Sequence, residues 1–163
     1  METFKSKLFD GVRKNCDFLL EEIEKIEKLI PNLEKLNLPK QIIHGDLHYD
    51  NTLVHQGKLT GCLDFEFCAH DLRGMELAIC LSKYCSESDP KPFFNQFIDG
   101  FVVFGQINQQ EIDFVPDLIN LRILSNVVYF VGRALSKEDV STFFFFLPHF
   151  YFFFFQFFLK KGF

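Results

Sequence analysis

Apolar residues recur with helical spacing over the first thirty positions. They are three, four or seven residues apart and lie on one face of a helix: Phe4, Leu8, Val12, Leu19, Ile23, Ile26 and Ile30. Charged residues fill the opposite face, which we expect to be solvated: Glu21, Glu22, Glu24, Lys25, Glu27 and Lys28. Pro31 should end the helix, because proline disfavours helical geometry in the preceding residue. The pattern predicts an amphipathic helix over residues 3–30.

The next apolar segments are short and extended. After a polar connector at 32–40, residues 41–44 form a strand-like run, and 52–55 and 59–63 are rich in apolar and β-branched residues. A Gly-containing turn at 56–58 separates these two runs, which predicts a β-hairpin that begins after Asn51 and ends at Asp64. Such a hairpin would bring Asn51 and Asp64 close together.

The pattern of apolar residues from 68 to 135 is mostly helical, and no linker there is long enough to divide the chain. We expect a loop at 68–71, a polar break at 86–92 and a polar loop at 105–110; the predicted helices cover 73–85, 93–104 and, as one or two helices, 111–135. The fold class is therefore α+β and mostly helical. A chain of 163 residues is long enough for one domain with its own core.

Composition changes this picture little. The hydrophobic fraction is 48%, the charged fraction 24% and the net charge −5, so nothing favours nucleic acid or an anionic membrane surface as a partner. The five cysteines form no CxxC pair, and the charged N-terminus does not resemble a secretory leader. We expect free thiols and a cytoplasmic location.

A phenylalanine-rich segment at 143–158 does not follow any helical or strand period. Three interpretations are open. The segment is a membrane insertion flanked by Lys160 and Lys161, a buried helix, or the out-of-pattern ending of a fragment. The last is favoured, because cores seldom use one residue type so uniformly. We therefore expect a domain at 1–142 and a separate tail at 143–163.

Polar residues cluster where the strand-like runs meet. Asp46 precedes Asn51 by five positions, and Asp64 follows the predicted hairpin. Protein kinases use an Asp and an Asn at this separation to accept a hydroxyl proton and to hold a metal ion, and a second Asp holds Mg²⁺. Alternatives are a loop of turn-capping side chains, a hydrolase with metal-bound water, and a zinc site; its ligands would come from His44, His48, His55, His70, Cys62 and Cys68.

Two segments together resemble a known catalytic core. Residues 44–51, followed by 63–66, look like the catalytic loop and metal segment of the aminoglycoside phosphotransferase family, which includes choline, methylthioribose and kinase-like homoserine kinases. Residues 71–78 resemble the next family segment, with Glu76 where Asp is frequent, and 77–82 resemble the homoserine kinase branch. The resemblance covers about residues 20–135 and implies the C-terminal lobe of a protein-kinase-like fold, with a short β-hairpin carrying the catalytic loop.

The resemblance also implies roles for individual residues. Asp46 would be the catalytic base, with His44 fixing the loop and His48 or Glu66 on the acceptor side. The metal ligands would be Asn51 and Asp64, and the residues packing under adenine would be Leu53 and Leu63.

The implied activity is ATP- and Mg²⁺-dependent transfer of the γ-phosphate to a small-molecule alcohol. The family's ATP-holding N-terminal lobe has a glycine-rich turn and a strand lysine, and nothing before His44 matches them. We therefore expect a truncated phosphotransferase. Two alternatives stay open: the chain is an inactive remnant, or another chain supplies the N-terminal lobe.

Overall fold

The computed structural model describes residues 2–85 and 87–136, and within that range it leaves the side chains of 2–16 and 134–135 outside the description. The phenylalanine-rich segment at 143–158 and the expected boundary after 142 also lie outside the described residues. The described chain is mostly helical with two small antiparallel sheets, which confirms the α+β class.

Helix α1 (Glu2–Lys35) continues through Pro31, so its predicted end at residue 30 is wrong. Proline removes one backbone hydrogen bond, but the turn after it carries Leu33, which is buried in the core. Packing of this last turn stabilises helical geometry that local propensity disfavours. The expectation of a fully solvated charged face is also wrong at Glu22, which is buried and paired with Lys25.

Four strands form two separate pairs. Strand β1 (Lys40–Ile43) pairs with β4 (Ala69–Leu72), and β2 (Thr52–His55) pairs with β3 (Lys58–Cys62). The second pair confirms the predicted hairpin, although β3 ends two residues before Asp64.

Positive φ angles shape the turn of this hairpin. Gln56 has φ 50° and Gly57 has φ 74°, as a two-residue turn that matches the twist of its strands requires. The loop predicted at 68–71 is wrong, because β4 owes its extended form to non-local pairing with β1 rather than to β-branched residues.

Helix α2 (Arg73–Ser82) is central to the core. Helices α3 (Lys91–Phe104) and α4 (Gln109–Leu135) pack against it, and α1 contacts α4. The buried cluster joins residues from all four helices and their connections: Leu33, Leu38, Leu77, Ala78, Leu81, Cys85, Phe94, Ile107, Val115, Leu118, Ile119 and Ile123. Gly74 allows the close approach of α2 and α4, because a Cβ there would lie 3.3 Å from Leu118 Cδ1.

A reciprocal pair of hydrogen bonds sets the start of α4. Asn108 Oδ1 accepts from the backbone N–H of Glu111, and Glu111 Oε2 accepts from the backbone N–H of Asn108, both at 3.0 Å. Side chains thereby satisfy two backbone donors at this end of the helix. Helix α4 then continues as one helix through the exposed Pro116.

Within the described part of the chain, the segment Gln109–Arg133 of α4 is long and apolar enough to cross a membrane, by length and composition alone. The same segment contributes Leu118, Ile119 and Ile123 to the protein core. This resemblance to a span is therefore weak evidence for membrane insertion, because core helices share these properties.

Candidate active site

A sharp turn follows β1 and begins the candidate catalytic loop. Gly45 has φ 81°, and a Cβ at this position would lie 2.2 Å from the carbonyl oxygen of Phe67. Only glycine fits here without displacing backbone. The turn places His44 and Asp46 on either side of the contact with Phe67.

The His44 side chain connects two parts of the site. Its Nδ1 accepts a hydrogen bond from the backbone N–H of Asp46 at 3.3 Å, and its Nε2 lies 2.8 Å from the carbonyl oxygen of Leu63. A carbonyl only accepts, so the ring must carry its proton on Nε2. The ring also packs against Phe65, with centroids 4.7 Å apart. His44 therefore joins the loop to the segment that contains Asp64.

Glu76 anchors this loop to the protein core. Its carboxylate is buried in the first turns of α2, and Oε2 accepts a hydrogen bond from the backbone N–H of His44. The other oxygen, Oε1, is buried and has no hydrogen-bond partner among the described residues. The candidate catalytic loop is thus attached directly to the central helix.

The carboxylate of Asp46 has a polar partner at each oxygen. Arg122 Nη2 donates to Oδ1 at 2.7 Å, while Asn51 Nδ2 donates to Oδ2 at 3.3 Å and to the Asp46 backbone oxygen at 2.9 Å. The Asp46 side chain is 18% exposed, so it is partly shielded yet reachable. These contacts fix the orientation of the carboxylate within the loop.

The His48 ring lies beside this carboxylate. Its Nδ1 accepts from the backbone N–H of Asp50 at 3.3 Å, and its Nε2 lies 3.3 Å from Asp46 Oδ2. Because Nδ1 accepts, Nε2 carries the proton of a neutral ring and is directed at Asp46. His48 Nε2 and Asn51 Nδ2 lie 3.3 Å apart because both are donors directed at the same acceptor, Asp46 Oδ2.

The base of the hairpin brings Asn51 next to the Asp64 segment. The backbone N–H of Leu63 donates to the carbonyl oxygen of Asn51 at 2.9 Å. Because the side-chain nitrogen of Asn51 is directed at Asp46, its side-chain oxygen is left to bind another group. Asp64 has φ 63° and ψ 62°, a left-handed conformation that is uncommon for non-glycine residues, although Asp adopts it more often than most.

Asn51 and Asp64 offer the hard oxygen atoms that Mg²⁺ prefers, and the donor set fits such an ion. The described residues contain no group of three or more His, Cys, Asp and Glu side chains placed to hold a metal. The zinc alternative therefore finds no support in the positions of the histidines and cysteines.

The two predicted adenine contacts lie on the exposed hairpin. Leu53 is 48% exposed and Leu63 is 45% exposed, so both are open to a ligand. Leu53 pairs with Gly61, and a Cβ on Gly61 would lie 3.5 Å from Leu53 Cδ1. Since side chains alternate along a strand, Leu63 is expected on the same face as Leu53.

Comparison with known proteins gives this arrangement a family. A sequence model described as "Phosphotransferase enzyme family" (APH) matches residues 5–105, which is more than half of the chain. The chain belongs to the phosphotransferase enzyme family. The matched residues include every predicted site residue, from His44 to Glu66.

Similar proteins carry a more specific name. A homoserine kinase of Nitrobacter hamburgensis is 40% identical over 73 residues, covering 45% of this chain and 21% of that protein. One of Bartonella tribocorum is 42% identical over 77 residues, covering 45% and 24%. One of Chelativorans sp. is 28% identical over 117 residues, covering 68% and 36%. The phosphotransferase-family chain thus matches between 21% and 36% of the length of these relatives.

The sequence did not predict the role of Arg122, because its partner Asp46 lies 76 positions earlier in the chain. One signal was present in the sequence: Arg122 is the single charged residue between positions 118 and 131. A lone charge within an apolar helix usually has a specific partner. That partner is set by the packing of α4, which no local pattern reveals.

Proposed function

We propose that this chain is the C-terminal lobe of a protein-kinase-like phosphotransferase, extending over residues 1–142, which transfers the γ-phosphate of ATP to the hydroxyl of a small molecule. The observation that carries the proposal is the environment of Asp46. Its carboxylate is held by Arg122 on one oxygen and faces Asn51 and His48 on the other. A fixed, partly exposed carboxylate is suited to accept a proton from an alcohol.

In the proposed reaction Asp46 orients the acceptor hydroxyl and takes up its proton as the oxygen attacks the γ-phosphorus. The new oxygen–phosphorus bond forms as the bond to ADP breaks. His44 holds the loop in shape, and His48 supports the carboxylate of Asp46. Asn51 and Asp64 would hold Mg²⁺, which supplies charge neutralisation at the phosphate oxygens.

Leu53 and Leu63 are the proposed contacts to the adenine ring, because both present exposed apolar surface on the hairpin. The acceptor is proposed to be an alcohol of the homoserine, choline or aminoglycoside kind, and the similarity to homoserine kinases favours a hydroxy amino acid. The free cysteines in the described residues are compatible with a reducing cytoplasmic location.

A second candidate is a folded remnant that does not turn over. The described residues before β1 form a single helix, α1, so they do not themselves supply a sheet that would cover ATP. Phosphoryl transfer depends mainly on positioning and electrostatic stabilisation of the phosphates. A lobe of this kind would then need an ATP-holding partner lobe, which we propose is contributed by further polypeptide.

The test uses the purified full chain with Mg²⁺-ATP and three acceptors, L-homoserine, choline and kanamycin, and measures ADP release. We expect Asp46→Asn to lower acceptor-dependent turnover by about 10²-fold or more, because it removes the proton acceptor. Asp99→Asn on the exposed surface of α3 is the matched control and should leave turnover unchanged.

Acceptor-dependent turnover that survives Asp46→Asn would contradict the proposed base. Calorimetry with Mg²⁺-ATP tests the second candidate: a chain that binds no nucleotide and releases no ADP does not turn over by itself.

A further inference from the structure

Arg122 has more hydrogen-bonding capacity than the protein uses. A guanidinium carries five N–H donors in a rigid plane, and Asp46 Oδ1 takes the one from Nη2 at 2.7 Å. The Nε donor is buried without a partner among the described residues, so the donors that a ligand would use are the remaining N–H groups on the two Nη atoms. The side chain as a whole is still 20% exposed. The guanidinium therefore lies against the candidate base with donors to spare.

The surroundings of the loop are otherwise acidic. Asp46, Asp50, Asp64 and Glu66 lie within 21 consecutive positions, and an anionic group that approached them would be repelled. One ion pair brings a Lys or Arg side chain to this loop among residues 17–85 and 87–133, and it joins Arg122 to Asp46. An anionic acceptor could thus be accommodated at one place, beside the guanidinium.

We propose that Arg122 binds the carboxylate of the acceptor and so makes the site selective for small hydroxy acids and hydroxy amino acids. The inference rests on the proposed function, because it takes Asp46 as the group that receives the hydroxyl. Arg122 and Asp46 are in direct contact, so the hydroxyl and the carboxylate of one compact molecule reach both residues at once. The rigid planar fork of arginine is suited to bind both oxygens of a carboxylate.

The expected effect follows from the strength of such pairs. A hydrogen bond to a charged group contributes roughly 1.5–3 kcal/mol, which corresponds to about a 10- to 150-fold change in the dissociation constant. Choline and other acceptors without a carboxylate gain nothing from Arg122, so the site should discriminate against them by a similar factor.

The test measures binding to the full chain by ligand-observed NMR, so it does not depend on catalysis. The probes are L-homoserine and its primary amide, which have the same hydroxyl and differ at the carboxylate. We expect the acid to bind at least about ten times more tightly than the amide. Arg122→Gln should abolish this preference, and Arg122→Lys should retain part of it. Arg133→Gln, eleven positions further along α4, is the matched control and should retain all of it.

Loss of the preference in Arg122→Gln supports the inference if the far-ultraviolet circular dichroism and thermal midpoint of this variant show a folded chain. If Arg122→Gln does not fold, the acid-to-amide ratio of Arg122→Lys decides the test. An unchanged acid-to-amide ratio in a folded Arg122→Gln would overturn the inference. So would wild-type chain that binds neither probe, or an Arg122→Gln effect on Mg²⁺-ATP affinity alone.

A separate variant distinguishes this inference from the proposed function. Asp46→Asn should lose phosphoryl transfer and still prefer the acid over the amide. Acid-selective binding without any ADP release would therefore contradict the proposed reaction and leave Arg122 as a carboxylate-binding residue. Phosphoryl transfer without any preference for the acid over the amide would contradict the role of Arg122 and leave the proposed reaction in place.

Discussion

Gly45 is constrained both by its backbone conformation and by its nearest neighbour. It adopts φ 81°, and a Cβ would overlap the Phe67 carbonyl oxygen at 2.2 Å. We expect Gly45→Ala to lower the free energy of unfolding by about 2–4 kcal/mol, because the strained φ and the displaced backbone both act. Urea denaturation followed by circular dichroism measures this change.

Gly57 provides the matched control for Gly45. It also has a positive φ of 74°, but a Cβ there would meet nothing within 4 Å. Gly57→Ala should therefore cost only about 1 kcal/mol, from the backbone conformation alone. Equal losses in the two variants would show that the contact with Phe67 does not constrain the loop.

The thiols of Cys80 and Cys85 predict how stability changes in alkaline solution. Burial raises the pKa of each thiol to about 12, from an ordinary value of 9.0. Above pH 9 the unfolded chain releases these protons while the folded chain keeps them. Stability is thus full below pH 9 and should fall by about 1.4 kcal/mol per pH unit and thiol between pH 9 and 12.

Urea midpoints between pH 8 and 10.5 test this, with Cys80→Ala/Cys85→Ala as the comparison. The double variant should be less stable at pH 8, because it loses buried volume, yet it should show a shallower decline at higher pH. Burial and, to a smaller extent, the neighbouring Cys80 thiol also raise the pKa of Tyr84, so only the part due to burial contributes equally to both curves and cancels in the difference. Parallel declines would contradict the assignment to the thiols.

At the scale of elements, one carboxylate joins two helices. Glu111 is 1% exposed, and it accepts from Arg73 Nε at 3.0 Å and from Arg73 Nη2 at 2.6 Å. This hydrogen bonding raises the pKa of Arg73. The same carboxylate accepts from the backbone N–H of Asn108 at 3.0 Å and so caps α4.

Glu111→Gln should lower the free energy of unfolding by about 3–5 kcal/mol, because it leaves a guanidinium partly buried without its counter-charge. Thermal denaturation followed by calorimetry gives the value. Glu87→Gln, at an exposed position outside the helices, is the control and should change stability by less than about 0.5 kcal/mol. A Glu111→Gln variant as stable as this control would contradict a structural role for the pair.

The elements that the sequence predicted correctly are those with local causes. The hairpin at β2 and β3 follows from its own turn and strand residues, and the helices follow from their apolar spacing. The errors have non-local causes. Helix α1 passes Pro31 because Leu33 packs in the core, and β4 is extended because β1 pairs with it. Nothing within either segment encodes those partners.

The same division holds for the candidate site. The spacing within 44–51 and the hairpin were enough to predict that Asn51 would lie near the Asp64 segment, and the Leu63–Asn51 hydrogen bond places them so. Arg122 escaped prediction because its contact with Asp46 depends on how α4 packs against α2. The catalytic and metal-binding roles of these residues stay predictions until they are measured.

At the scale of the whole molecule, apolar side chains cover the hairpin and the turn after it. Val54 is 65% exposed, Leu59 63%, Phe65 59% and Phe67 47%. The two described sheets have two strands each, so each strand leaves one edge unpaired. Exposed apolar surface beside open strand edges favours association between molecules.

We therefore expect the average mass of the full chain in sedimentation velocity to rise with concentration from about 5 to 100 µM. Val54→Lys/Leu59→Glu should reduce this rise without lowering the thermal midpoint, since neither side chain is buried and the two residues are cross-strand partners that would form an opposite-charge pair. As the control, Lys40→Gln at the start of β1 should leave the rise unchanged. Association that persists in the double variant would locate the contact elsewhere.

The hydrogen bond between Leu63 and Asn51 closes the hairpin at its base. The chain leaves the site at Asn51 and returns to the same place at Leu63, however it travels in between. Insertions or deletions at the Gln56–Gly57 turn can therefore lengthen or shorten both strands of the hairpin by the same number of residues. The proposed metal-binding residues keep their separation when this happens. The outer hairpin is thus where this chain can best accept a grafted peptide or a reporter label.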